Sequence, residues 1–375
     1  VKRITKVKKI NFVVVAILLL SSFYFPLVKS YQLQNEFENE DNNQKICFAQ
    51  EFSEPIFKRI NGHLKVEVKE ADKSNICLDS PNLPVFSKTF EFPWGTRIEE
   101  IDTVISSINT MQINTLIEPT PTLILTEKQV YLSTNKNFEK LYEDILVFPE
   151  YWYSFSQGVG LNKYNERVLF LNLYVYPIRY KPNENIIQYI TNVNININYR
   201  VTEKSQFNSD EYDLLILAPK IFKDNLTSLV DHKNSHGVKT YFETIENIYD
   251  NSMNYDKIKQ IKYYIKEKVE TWGIKYVLLV GDIRKFPMRT TDAYPWNNYH
   301  GYGILTDLYY SDLYNTDYEF STWDTNNNNI YGEIEYKRHL FDYELIDTDV
   351  DLYPDVHIGR LACRNNKEVN ILVEK

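Results

Sequence analysis

The sequence predicts an α/β domain, a mostly parallel sheet with flanking helices, preceded by an antiparallel β-sandwich-like domain. Three observations carry this. Tyr276-Val-Leu-Leu-Val-Gly-Asp282 and Tyr212-Asp-Leu-Leu-Ile-Leu-Ala-Pro219 are unbroken apolar runs that stop abruptly, as strands buried on both faces do. Helix-period segments lie between them, so the unit reads βαβαβ. Upstream, residues 190–200 alternate strictly, with Asn at every second position, which is the pattern of a half-buried antiparallel strand.

The 375 residues leave room for two domains with real cores. A net charge of -9, spread along the chain, gives no reason to expect nucleic acid as a partner. The 30 Tyr and 20 Phe need somewhere to pack, which argues for folded structure over most of the length.

Residues 1–30 read as a secretory signal peptide. Lys2, Arg3, Lys6, Lys8 and Lys9 precede an apolar run from Phe12 to Phe25, and Val28-Lys-Ser30 offers small residues for cleavage. The alternative, an uncleaved anchor, calls for about 20 apolar residues. Either way the bulk of the chain is expected to be secreted or at the cell surface, with no stable membrane span after cleavage. In such a compartment Cys47 and Cys77 are able to pair, although spacing alone does not show that they do. Cys363 is expected to be a buried, inert thiol at a strand end.

Residues 31–45 form a polar lead-in, and 46–202 the β-rich domain. Within it, Asn61-Gly62 marks a hairpin turn, and residues 85–93 and 167–177 read as strands. His63 has no second His or Cys at ligand spacing, so it reads as a strand residue. A polar break at 203–211 serves as linker, and 212–375 is the α/β region.

After Pro219, Phe222, Leu226, Leu229 and Val230 share a helix face that ends near Gly237. His232 and His236 read as solvated helix-end residues. In the next helix Asn254 or Asp256 is the cap, and Ile258, Ile261, Ile265 and Val269 form the apolar stripe. Lys257, Lys259, Lys262, Lys266 and Lys268 are assigned to its wet face. Residues 283–352 form a long Tyr-, Asp- and Asn-rich connection. Its segment Asp307-Leu-Tyr-Tyr-Ser-Asp-Leu-Tyr314 reads as an aromatic and acidic cluster lining a cleft.

A second segment, Trp323 to Glu335, is a candidate calcium loop. Asp324, Asn326 and Asn328 supply side-chain oxygens, Ile330 its carbonyl, and Glu333 or Glu335 closes the shell, with Glu335 at position twelve. Asn329 stands where such loops place Gly, and Asn tolerates the left-handed conformation. A structural calcium is therefore the expected cofactor, against an Asn-rich turn that binds nothing.

The order and spacing of several stretches resemble the gingipain family of secreted cysteine endopeptidases. They are Tyr212 to Pro219, His232 to Gly237, Tyr276 to Asp282, Ser311-Asp312, and Asp355-Val-His-Ile-Gly-Arg-Leu-Ala-Cys363. The β region is similar to that family's propeptide at Leu83-Pro84, Pro93-Trp-Gly95 and Val175-Tyr-Pro-Ile-Arg-Tyr-Lys-Pro182. The resemblance implies a caspase-like fold, an N-terminal propeptide-like domain, and a peptidase domain present only in its first half. It also implies a parent enzyme that acts on protein or peptide substrates.

The family's catalytic His lies in Gly-His-Gly, and its catalytic Cys precedes an Asn-Gly turn. Neither motif occurs in this sequence. No catalytic residue is therefore assigned, and the chain by itself is expected to be an inactive fragment. A His357 and Cys363 pair would stand roughly 20 Å apart on an extended strand, beyond proton-transfer reach. Two other readings remain: an extracellular binding or adhesion protein, and a truncated homologue serving as inhibitor or chaperone of a full-length peptidase.

Overall fold

A computed structural model describes residues 43–75, 80–125, 130–133, 140, 142–143, 145–202, 207, 211–250, 256–291, 303–337 and 342–375. The signal-peptide reading of 1–30 lies outside these residues, as do Cys77 and Asn254.

The first part of the chain is antiparallel. Strand β1 (Asn43–Glu51) pairs with β14 (Asn192–Val201), which pairs with β6 (Thr96–Ile105). A second sheet runs β10 (Tyr153–Leu161), β11 (Arg167–Val175), β5 (Pro84–Pro93), β4 (Lys73–Ser74). A third joins β12 (Ile178–Lys181), β13 (Ile186–Tyr189) and β7 (Asn109–Gln112). Two hairpins complete this part, β2 (Ile56–Ile60) with β3 (His63–Glu67), and β8 (Thr122–Leu125) with β9 (Val130–Ser133). Asn61 and Gly62, both at positive φ, make the first hairpin's turn as the sequence indicates.

The alternation along β14 is the two-faced strand it suggests. Val193, Ile195 and Ile197 are buried, while Asn192 and Asn194 face solvent. They join Leu169, Leu171 and Leu173 of β11 in the core, with Phe48, Phe86 and Phe90 in ring contact between sheets. Each such side chain contributes about 1.5–3 kcal/mol by leaving water.

The second part is a parallel sheet in the order β16 (Thr240–Thr244), β15 (Leu214–Ala218), β17 (Tyr276–Val280), β22 (His357–Leu361). Helices α1 (Lys223–Ser235), α2 (Ile245–Asp250), α3 (Lys257–Trp272) and α5 (Asn366–Val373) flank it. All of β15 is buried because both faces are covered. Leu215 and Leu217 pack in the core with Ile261, Ile265 and Val269 of α3, whereas Leu214, Ile216 and Ala218 meet Phe222, Leu226 and Val369. This two-sided cover is why the strand reads as an unbroken apolar run. Asp256 caps α3 by accepting Ile258 N and Lys259 N at 2.9 Å each, and left-handed Gly273 ends it.

The long connection carries more order than its sequence shows. It contains the hairpin β18 (Arg289–Thr291) with β19 (Ile304–Thr306), the short helix α4 (Leu308–Ser311), and the hairpin β20 (Ile334–Lys337) with β21 (Asp342–Leu345). Tyr309, Tyr310, Asp312 and Tyr314 are buried in the core. They line no cleft among the described residues: Phe286, Trp323 and Tyr331 pack edge-on against the rings of Tyr309 and Tyr310, and Trp94 packs edge-on against Tyr314. Lys262 departs from the expected wet face of α3 and is fully buried.

The two parts meet along the β10–β11 hairpin. Val159 N donates to Asp351 Oδ2 at 2.8 Å, and Leu161 N to Pro354 O at 2.8 Å. Tyr353 stacks on Phe170, with ring centroids 4.7 Å apart, and its hydroxyl meets Asn172. Left-handed Asn165 donates to Tyr276 Oη at 3.0 Å and bonds His357 Nε2 at 2.7 Å. No helix among the described residues is long and apolar enough to cross a membrane.

Candidate functional site

In open parallel sheets ligands bind outside the carboxyl ends of the strands. Here those ends carry Gly281, Asp282 and Cys363, and they are braced by Arg360. Its guanidinium donates to both oxygens of Asp307 at 2.6 Å, to Gly281 O at 2.8 Å and to Phe286 O at 3.0 Å. Asp282 N donates to Cys363 O at 2.8 Å, which ties the two strand ends together. Gly281 takes φ 138°, and a β-carbon there would stand 3.0 Å from Lys285 Cβ. Ile283 and Arg284 remain exposed beyond it.

Cys363 has no exposed surface, and burial pushes its thiol above the ordinary range, with Glu368 adding to the shift. His357 opens the same strand. Its imidazole is exposed, is engaged by Asn165, and is held below its usual value by partial desolvation. His357 opens β22 and Cys363 lies just past its other end, with the strand His357–Leu361 extended between them over about 13 Å at the usual rise. They form no nucleophile–base pair.

His232 and His236 lie exposed at the end of α1 with ring centroids 4.1 Å apart, and His236 Nδ1 is 2.8 Å from His232 O. His63 is half-buried in β3. Among the described residues no group of three or more His, Cys, Asp or Glu gathers to hold a metal ion. Cys47 lies exposed on β1.

The candidate calcium loop is built from side-chain-supported turns. Asp324 accepts from Asn329 N at 3.3 Å, Asn326 Oδ1 from Asn328 N at 3.0 Å, and Asn328 Oδ1 from Ile330 N at 2.7 Å. Asn327 and Asn329 are both left-handed, so Asn329 takes the conformation expected of it. Glu333 closes the loop, its Oε2 accepting from Asn326 Nδ2 at 2.9 Å and Asn328 Nδ2 at 2.7 Å. Glu335 lies in β20, paired with Glu344. Fully buried Asp347 holds the loop from beneath by accepting Thr325 N at 2.8 Å and Glu333 N at 2.9 Å. Asp347 did not stand out in the sequence, where it reads as one more charge in an acidic segment, and Arg360 lies in the stretch Asp355 to Cys363 with nothing local to announce its bracing role.

Comparison with known proteins bears on this arrangement. The model of peptidase family C25 matches residues 207–375, and that of the C25 propeptide matches 72–216. Gingipain R2 of Porphyromonas gingivalis is 27% identical over 116 residues, which is 30% of this chain and 15% of that protein's length. The complex of P. gingivalis RgpB pro- and mature domains is 15% identical, covering 45% of this chain and 84% of that one, with a TM-score of 0.31. A structure addressing zymogenic latency of gingipain K from the same organism gives 15%, 43%, 89% and 0.32. With consecutive propeptide and peptidase matches over residues 72–375, the chain belongs to the gingipain-type C25 peptidase family, as an N-terminal propeptide with part of a catalytic domain.

Proposed function

We propose that the chain is the propeptide-like domain and first part of the peptidase domain of a secreted, thiol-dependent endopeptidase acting on protein or peptide substrates. The catalytic imidazole and thiol are then supplied by chain beyond residue 375. One observation supports this most directly. The sheet has the order and bracing of a site-bearing α/β domain, yet Cys363 is sealed and His357 sits at the other end of its strand. Peptide hydrolysis by a thiol needs the thiolate within about 3 Å of its base and amides to hold the oxyanion.

The test compares two chains. A chain continued past residue 375 should hydrolyse peptides and lose that activity on alkylation, while residues 1–375 alone should show no alkylation-sensitive hydrolysis. Hydrolysis by residues 1–375, abolished in Cys363→Ser, would sink the proposal.

We also propose that the loop from Asp324 to Glu333 takes a structural calcium. Asp324, Asn326, Asn328 and the Ile330 carbonyl are the donors, with Glu333 in the closing position first given to Glu335. Hard oxygen donors on a tight loop suit that ion. Calcium at about millimolar concentration should raise the thermal midpoint, and Glu333→Gln should remove the effect. An unchanged midpoint in the wild-type chain would show that the loop binds nothing.

A further inference from the structure

Lys262 of α3 is fully buried, and its Nζ has no hydrogen-bond partner among the described residues. Three carboxylates act on it, Asp312, Asp349 and Asp355, each more than nine-tenths buried. Each accepts backbone hydrogen bonds through Oδ2. Asp312 accepts Leu352 N there, Asp349 accepts Thr322 N and Trp323 N, and Asp355 accepts Leu313 N and Tyr314 N. Their Oδ1 atoms lack partners among the described residues, as do Ser321 Oγ and Trp323 Nε1. The rings of Tyr309, Phe320 and Trp323 stand 4.2, 5.3 and 5.6 Å from Nζ.

Ring faces offset only part of the cost of burying an ammonium group. An unpaired buried ion costs several kcal/mol, and a buried neutral donor without a partner adds to it, so these six polar atoms are not tolerated dry. The set mixes donors (the ammonium, the indole and the hydroxyl) with three acceptor oxygens. Water, which donates and accepts, matches this mixture.

We propose that ordered water bridges Lys262 Nζ to the free oxygens of Asp312, Asp349 and Asp355, and that Lys262 thereby fixes the 349–355 loop on which the β-rich domain sits. The connection is short. Asp349 and Asp355 bracket Asp351 and Tyr353, the residues that receive Val159 and Phe170 of the other domain. Asp312, in the middle of the cluster, ties Leu352 N at 3.1 Å. The loop is thus held from inside by α3 and from outside by β10. Lys262 is a positioning residue for the contact between domains, and this role does not depend on the peptidase reading.

The test uses the full chain and Lys262→Met, which keeps the stem and removes the charge, with amide hydrogen exchange resolved to single residues. Exchange at Val159, Leu161 and Leu352 should rise by about tenfold or more, while β11 and β15 keep their protection. Unchanged exchange at those three amides overturns the coupling, and so does a loss of protection uniform over the chain. Asp349→Asn, which retains an oxygen for Thr322 and Trp323, provides a milder second variant with the same expected pattern. A wild-type crystal structure that resolves water decides the bridging itself: ordered water between Nζ and the carboxylates supports it, and direct dry contacts overturn it.

Discussion

The ring of Tyr353 lies across Gly158 so closely that a β-carbon on that glycine would stand 2.1 Å from Tyr353 Cδ2. Gly160 is also closely approached, its β-carbon position standing 2.7 Å from Pro354 O. The strand therefore offers a notch, and the facing loop fills it with an aromatic side chain stacked on Phe170.

Gly158→Ala should accordingly weaken the contact between domains by about 1–3 kcal/mol, the usual cost of overpacking. The ring has no free direction to yield, because Phe170 lies on one side and Asn172 holds its hydroxyl. After proteolytic cleavage within residues 203–211, the two halves of the wild-type chain should elute together and those of the variant separately. Co-elution of the variant's halves would show that the notch is not needed.

Burial without sufficient counter-charge, together with Asp312 nearby, raises the carboxyl of Asp355 well above its usual range. A group with a raised folded-state value adds stability that is complete below the unfolded value of about 3.9 and is lost as pH rises through the folded value. Asp355→Asn keeps an acceptor for Leu313 N and Tyr314 N but carries no charge to bury. The variant should match wild type near pH 4 and gain on it steadily toward neutral pH in urea midpoints. A gap that is constant with pH would refute this.

Arg360 makes a forked pair with Asp307 and reaches two carbonyls besides, all with a side chain only 11% exposed. Arg360→Lys retains charge but not the planar fork. The expected loss is about 1–3 kcal/mol, the range for hydrogen bonds to a charged group that Lys does not remake. Chemical denaturation measures it, and a loss below about 1 kcal/mol would mean that the Gly281–Phe286 turn stands without the clamp.

Cys363 should resist alkylation in the native chain and react fully in denaturant, because its sulfur is sealed and its thiolate disfavoured. Mass spectrometry of trapped peptides reads this directly. Rapid native labelling at Cys363 would reopen it as a nucleophile.

Much of the fold is legible in the sequence because it is written locally. The two apolar runs, the cap at Asp256, the stop at Gly273 and the Asn61-Gly62 turn each depend on neighbours a few residues away. Lys262 was misplaced because a lysine between two isoleucine rungs reads as wet. A signal was present, since Lys262 stands four residues after Ile258 and seven before Val269, inside the apolar stripe. Its burial depends on carboxylates at 312, 349 and 355, and no local pattern announces partners so distant. The Tyr309 to Tyr314 cluster failed for a related reason. Its composition is the same whether it lines a cleft or fills a core, and only the rings of Phe286, Trp323 and Tyr331 distinguish the two.

The hydrogen bonds from the β10–β11 hairpin, those of the Arg167 guanidinium to Ile274 O and Asp355 O among them, land on residues that precede or open a strand of the parallel sheet: Ile274, Tyr276, Asp351, Tyr353, Pro354, Asp355 and His357. The β-rich domain thus grips one pole of the sheet and leaves the opposite pole free of those bonds. Detaching it would rewet the gripped pole. His357 becomes a gauge of attachment: its imidazole, held low by partial burial beside Asn165, would titrate higher once the domains part.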